Sequence, residues 1–193
     1  LNLNIDGTSF QFIEDGCCLI DAINHRLVSC FKKMKSYTIP KYVTSIGDSA
    51  FYCCSSLESV VIPDSVTSIG NCAFSGCSSL ERVVIPDSVT SIGDSAFDGC
   101  SSLQSVRIPN SVKRIVERSF WECTSLPSVV IGNSVTSIGD CAFYSCKSLQ
   151  SVVIGNAVMS IGDGAFYWCD SLRSIVIPVG TREKFEKLLP KYK

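Results

Sequence analysis

A single histidine, His25, occurs among the 193 residues, and this scarcity excludes most chemistry that needs an imidazole base. The many serines and cysteines have no second histidine to activate them. The serine elbow of esterases, the phosphate-binding loop of nucleotide-binding proteins and the paired histidines of zinc proteases are absent as motifs. No C-x-x-C pair occurs, which argues against a zinc site. We therefore expect no enzymatic activity, no cofactor and no metal.

The chain also lacks an excess of charge and long apolar runs. Its 17 basic and 18 acidic residues give a net charge of -1, which argues against nucleic acid or an anionic membrane as the partner. Apolar runs such as 59–62 have the length of a strand and are too short to span a bilayer. The sequence begins at Leu1 without a basic-then-apolar signal segment, so we expect a processed protein or an excised domain.

A 23-residue motif recurs without insertion or deletion. The isoleucines that open its successive copies are Ile39, Ile62, Ile85, Ile108, Ile131, Ile154 and Ile177. A strict period of this length predicts a solenoid, because one unit cannot bury its apolar face alone. We expect one solenoid domain with three parts: an irregular N-terminal cap over residues 1–38, six repeats over 39–176 and a C-terminal cap over 177–193.

Each unit carries two extended segments. In the second unit the alternation predicts a strand with Val60 and Ile62 facing inward and Val61 facing outward. The pattern Val66-x-x-Ile69, followed by a glycine, predicts a second short extended segment. An Asp or Asn then follows at a position suited to cap a brief helical or 3₁₀ turn. The phenylalanines of that turn predict an aromatic spine: Phe51, Phe74, Phe97, Phe120, Phe143 and Phe166.

Half of the twelve cysteines recur at one repeat position. They are Cys54, Cys77, Cys100, Cys123, Cys146 and Cys169. Free cysteine is small and frequently buried, and parallel side chains do not suit a disulfide, so we expect a buried ladder of free thiols. If any disulfide forms, it should involve the four cysteines outside the repeat positions: Cys17, Cys18, Cys30 and Cys53.

The flanking segments predict caps. Residues 10–20 alternate in hydrophobicity around an Asp-Gly turn, which predicts a hairpin, and a second strand pair should turn near Asn24. At the other end, Thr181 is placed to cap a helix over residues 182–189 that Pro190 would close.

The pattern L-x-x-V-x-I-P-x-x-V-x-x-I-G-x-x-A-F-x-x-C-x-x resembles the leucine-rich repeats of bacterial surface antigen A-like proteins, which are also described from treponemes. The resemblance implies an α/β, β-rich leucine-rich repeat solenoid, with a curved parallel sheet and short helical or 3₁₀ turns. It also implies a cell-surface or secreted bacterial protein that binds host matrix proteins, other cells or glycoproteins. Unit four departs from the pattern at residues 116–119, and Gly132 and Gly155 replace the proline of other units.

Equivalent positions of successive units are called a column here. We expect binding residues in columns whose residue type varies between units or whose apolar side chains face outward. The outward strand positions include Val61, Val84, Val130 and Val153, together with Arg82 and Arg107. Strand propensity alone explains outward valines equally well, so both explanations stay open. Around unit four, Arg107 is joined by Lys113, Arg114, Arg118 and Trp121. Arginine beside tryptophan is typical of binding hot spots, and drift on a tolerant scaffold is the alternative.

Two functions from different classes remain. The first is a non-enzymatic adhesion or recognition protein, exported to the surface or secreted, that binds proteins through the repeated face. The second is an intracellular scaffold, which free thiols favour because they persist in a reducing compartment. A recognition domain within a larger protein is a third possibility.

Overall fold

The computed structural model describes residues 2–5, 8–12, 16–31 and 33–189. From residue 36 onward the chain forms a parallel β-solenoid, as the 23-residue period predicts. One strand of each turn joins a seven-stranded parallel sheet, named here the front sheet. Its strands are β5 (Ser36–Thr38), β7 (Ser59–Val61), β9 (Arg82–Val84), β11 (Ser105–Arg107), β13 (Ser128–Val130), β15 (Ser151–Val153) and β17 (Ser174–Val176). Neighbouring strands pair 23 residues apart, as Val60 does with Val83, so each sequence column becomes a straight row.

The second extended segment of each unit forms the rear sheet. Its strands are β6 (Ser45–Ile46), β8 (Ser68–Ile69), β10 (Ser91–Ile92), β12 (Arg114–Ile115), β14 (Ser137–Ile138) and β16 (Ser160–Ile161). A glycine follows most of these strands because the preceding unit lies too close for a side chain. A Cβ on Gly93 would lie 2.5 Å from both the backbone N and the Oδ1 of Asn71. The small residue therefore sets how closely the units stack.

The rear sheet is interrupted between β10 and β12, where units three and four meet. Unit four has Val116 at the position that glycine occupies in the other units. A side chain at this position faces the preceding unit, as a Cβ on Gly93 would meet Asn71, so the side chain of Val116 faces Asp94 and keeps the two backbones from pairing distance. The front sheet continues across the same boundary.

An antiparallel meander covers the N-terminal end. It consists of β1 (Asn2–Ile5), β2 (Thr8–Phe12), β3 (Cys18–Asp21) and β4 (Arg26–Cys30), and β4 pairs with β6 to join the rear sheet. Both predicted hairpins are confirmed, although the turn at 13–15 lies outside the described residues. Strand β1 was not expected from the sequence.

The core is built in columns. The six spine phenylalanines are at most 1% exposed, and successive rings stack with centroids 4.9–5.4 Å apart and interplanar angles of 2–8°. Helix α1 (Arg182–Leu188) closes the C-terminal end with Phe185 and Leu189 buried. Thr181 does not cap it as predicted, because its hydroxyl donates to the carbonyl of Pro178 instead. Pro190 lies outside the described residues.

The six cysteines that recur once per unit, named here the cysteine column, pack in the core and also form hydrogen bonds between units. Five thiols each donate a hydrogen bond to the carbonyl of a phenylalanine in the preceding unit, as Cys100 does to Phe74 at 3.2 Å. Burial raises the pKa of Cys77 to about 12 and also raises the pKa of Cys100 and Cys123, which keeps the donor proton of these three thiols in place. Cys54 departs from the expected burial, because it is half-buried and points to the carbonyl of Cys30.

The segment between the rear and front strands of each unit is a series of turns, and the predicted short helical or 3₁₀ turns are not formed there. Alternate N–H groups in it donate to the next unit, as Phe74 does to the carbonyl of Ala96 at 2.8 Å. The Asp and Asn column also differs from the prediction. Its oxygens do not cap their own turn, and Asn71 Oδ1 accepts instead from the N–H of Asp94 in the next unit.

Candidate functional site

The front sheet presents a row of exposed valines to solvent. Their exposed fractions are 57% for Val61, 67% for Val84, 55% for Val130, 38% for Val153 and 49% for Val176. These side chains point outward because the strand alternation places Val60, Val83 and their equivalents in the core. The row is continuous except at β11, where Arg107 occupies the same position. The structure therefore aligns all four predicted valines on one surface.

One predicted arginine, Arg107, lies within this row, and another, Arg82, lies beside it. Strands β9 and β11 pair Ser105 with Arg82 and Arg107 with Val84, so the two arginines are diagonal neighbours on the front sheet. The guanidinium of Arg107 forms an exposed ion pair with Asp87 at 3.0 Å. An apolar strip with arginines beside it has the composition of a protein interface.

The remaining predicted residues of unit four lie elsewhere. Lys113 precedes β12, and Arg114 lies within it, so both are exposed on the rear sheet. Arg118 and Trp121 belong to the turn segment, and the guanidinium of Arg118 lies 5.0 Å from the centroid of the Trp121 ring. The cations that are close in sequence around unit four are thus distributed over three parts of the surface.

The turn segments form an edge that we name the turn edge: residues 47–54, 70–77, 93–100, 116–123, 139–146 and 162–169. Three aromatic side chains stack along it. Trp121 lies on Tyr144 at 4.1 Å, and Tyr144 lies on Trp168 at 6.0 Å. Trp168 remains 65% exposed. The sequence places Trp121 and Tyr144 in one column, but only the structure shows that Trp168 reaches them from the next column.

The turn edge is also strongly acidic. It carries seven carboxylates, Asp48, Asp94, Asp98, Glu117, Glu122, Asp140 and Asp163, and a single cation, Arg118. Burial and the neighbouring Glu122 raise the pKa of Asp98. The near-neutral net charge of the chain hides this asymmetry, so composition alone could not reveal it.

A disulfide joins Cys18 and Cys30, two directly opposed residues of β3 and β4. Both belong to the four cysteines from which the sequence predicted any disulfide. Within the described ranges, no three His, Cys, Asp or Glu side chains converge to hold a metal ion. Among those same residues, no helix is long and apolar enough to cross a membrane.

The repeats match the model of the BspA type leucine-rich repeat region, with six copies, over residues 21–146 and 90–188. The chain belongs to this family. The BspA-type fold is a repeat-protein architecture suited to protein interaction.

Solved structures agree with this BspA-type assignment. A leucine-rich repeat protein of T. pallidum is 29% identical, with a TM-score of 0.78, and the match covers 100% of this chain and 97% of that one. A leucine-rich cell surface protein of Faecalibacterium prausnitzii is 26% identical, with a TM-score of 0.53, over 80% of this chain and 62% of that one. A leucine-rich repeat protein of Eubacterium ventriosum, 22% identical with a TM-score of 0.67 over 86% and 49% of the two chains, shares the fold. A comparison with curated proteins gave no match.

Proposed function

We propose that this chain is an exported recognition protein that binds a protein or glycoprotein partner through the front sheet. The partner would be a component of the host matrix, of a host cell or of another bacterium. The observation that carries the proposal is the row of valines on the front sheet, where side chains such as Val84 are 67% exposed. An aligned apolar row of this kind marks an interaction surface more often than scattered exposed residues do.

The two arginines of the front sheet would orient a partner in such a contact. Arg82 and Arg107 flank Val84, and a guanidinium can bind carboxylates in a bidentate geometry at the rim of an apolar contact. Repetition along the solenoid then offers the same contact several times. Each contact can be weak while the whole surface binds firmly.

The disulfide supports export over the intracellular alternative. Disulfides such as Cys18–Cys30 persist in oxidising compartments and are rare in the cytosol. The free thiols of the cysteine column do not argue the other way. Burial raises the pKa of Cys100 well above its ordinary value, and the thiol is fully buried, so it resists oxidation in either compartment. The cell surface protein of F. prausnitzii, which shares this fold, supports the same location.

Surface plasmon resonance against a panel of purified extracellular-matrix proteins tests the binding surface. Replacing Val84→Thr and Val130→Thr keeps the side-chain shape and removes apolar contact, so we expect about tenfold weaker binding. The matched control is Met159→Thr, which removes an exposed apolar side chain from the rear sheet, where other units carry threonine. Equal losses in the valine variant and the control would refute the front sheet as the binding surface.

Charge is tested by a second pair of variants. Arg82→Ser with Arg107→Thr removes two cations from the front sheet and should weaken binding at least tenfold. Lys113→Thr with Arg114→Ser removes two cations from the rear sheet and should change binding less than twofold.

In the native cell, the redox state of the Cys18–Cys30 pair, measured by alkylation and mass spectrometry, tests export. A fully reduced pair would favour the intracellular scaffold.

A further inference from the structure

The turn edge carries a second surface whose chemistry differs from that of the front sheet. The front sheet is an apolar row with cations beside it, whereas the turn edge combines stacked aromatic rings with carboxylates. Trp121, Tyr144 and Trp168 form the stack, with ring centroids 4.1 and 6.0 Å apart. This surface takes no part in the function proposed above and is argued independently of it.

Trp168 is the least expected member of the stack. Its φ is 60°, a left-handed conformation that bulky residues rarely adopt, and the equivalent residues of units two and three are Gly76 and Gly99. The side chain stays 65% exposed although Tyr144 lies against one of its faces. The equivalent residues Glu122 and Ser145 also have positive φ, so the fold sets this conformation, and the open face of the Trp168 ring is available to a ligand.

The protein itself shows which group suits these rings. At the other end of the stack, the guanidinium of Arg118 lies 5.0 Å from the centroid of Trp121. Tryptophan has the strongest cation–π attraction of the aromatic side chains, and a planar guanidinium stacks on it better than an ammonium does. A guanidinium from a partner could take the corresponding place on the open face of Trp168.

The carboxylates add the charge that such a partner needs. The N–H of Gly99 donates to the carbonyl of Trp121 at 2.8 Å, which brings the adjoining residues Asp98 and Glu122 together in successive units, and Arg118 belongs to the same turn as Glu122. In the part of the chain that the structure describes, neither carboxylate forms an ion pair. With seven carboxylates and one cation, the turn edge attracts cations although the whole chain is nearly neutral.

We infer that the turn edge binds arginine side chains of an extended protein segment, one between Asp98 and Glu122 and another on the open face of Trp168. The spacing of these two places sets the sequence of the segment. Glu122 and Trp168 occupy the same column two units apart, the first place lies between Glu122 and the preceding unit, and the second lies on the side of Trp168 away from Tyr144. The two places are therefore about three units apart, which at about 4.8 Å per unit is about 14 Å. An extended chain spans that distance in about four residues, and side chains four residues apart point to the same side of it, so the segment has the form Arg-x-x-x-Arg.

Tryptophan fluorescence gives a direct assay, because both tryptophans of the chain belong to the stack. The protein is titrated with the capped peptide Gly-Arg-Ser-Ser-Ser-Arg-Gly and, separately, with its lysine analogue. We expect a saturable change in emission with the arginine peptide and about tenfold weaker binding of the lysine peptide. Absence of a saturable change, or equal binding of the two peptides, would overturn the inference.

Variants locate the site. Trp168→Gly restores the residue that units two and three carry at this conformation, so the fold tolerates it, and binding measured by calorimetry should weaken about tenfold. Asp98→Asn with Glu122→Gln should weaken it similarly. The matched control, Asp64→Asn with Glu81→Gln, removes two exposed carboxylates outside the turn edge and should change affinity less than twofold. Unchanged binding in the Trp168 variant, or an equal loss in the control, contradicts a site on the turn edge.

Discussion

The left-handed residues of the turn edge allow stabilisation by single substitutions. Ser95 has a φ of 53°, and the equivalent residues Cys72, Arg118, Cys141 and Gly164 all have positive φ. The conformation is fixed by the stacking of units, because the N–H of Ser95 donates to the carbonyl of Glu117 at 2.9 Å. We expect Ser95→Gly to raise the free energy of unfolding.

The magnitude follows from two opposing effects. An L-residue in the left-handed region costs about 1–2 kcal/mol. Glycine removes that cost but loses about 0.5–1 kcal/mol more backbone entropy on folding. The net stabilisation at Ser95 is therefore about 0.5–1 kcal/mol. Ser49, with a φ of 56°, is two units away, so the double variant should gain about twice as much.

Equilibrium unfolding in urea, followed by circular dichroism, measures the effect. The midpoint of Ser95→Gly should rise with an unchanged slope. The control is Ser78→Gly, at an exposed serine of a neighbouring unit whose φ is not positive. This variant should lower the free energy of unfolding by about 0.5–1 kcal/mol. A midpoint for Ser95→Gly that is equal to or below that of the wild-type chain would refute the strain argument.

Three further predictions concern the columns and the N-terminal cap. Cys100→Ala should lower the free energy of unfolding by about 1–3 kcal/mol in urea, because it removes buried sulfur and the hydrogen bond to Phe74. Gly93→Ala should cost at least about 1–3 kcal/mol in the same assay, because its Cβ would overlap Asn71. Hydrogen bonds from the Asn24 side chain and nearby N–H groups lower the pKa of Asp21, so its carboxylate stabilises the fold above its ordinary pKa. When the pH is lowered below about 4, the melting temperature of the wild-type chain should therefore fall more than that of the Asp21→Asn variant.

The sequence predicted those features that depend on alternation within one unit. The inward positions of Val60 and Ile62, the phenylalanine spine and the hairpin before Asp21 all follow from local periodicity, and the structure confirms them. A period of 23 residues without gaps also predicted which residues would form rows.

Features that depend on contacts between units could not be predicted in the same way. The thiol of Cys100 bonds a carbonyl 26 residues earlier, and Asn71 bonds an N–H 23 residues later. Such bonds become apparent only when the stacking geometry is known. The same reason explains the dispersal around unit four. Neighbours in sequence, such as Arg107 and Arg114, belong to different sheets because one unit contributes to every side of the solenoid.

Hydrogen bonds and stacked rings join each unit to the next in the same way along the solenoid. The length of the solenoid can therefore change only by whole units. Gain or loss of one whole unit reproduces every internal bond and changes the length by about 5 Å. Gain or loss of a single residue would misplace a glycine, a phenylalanine and a cysteine together. The length of the binding surface can therefore change by recombination between units, and no compensating substitutions are needed in the core.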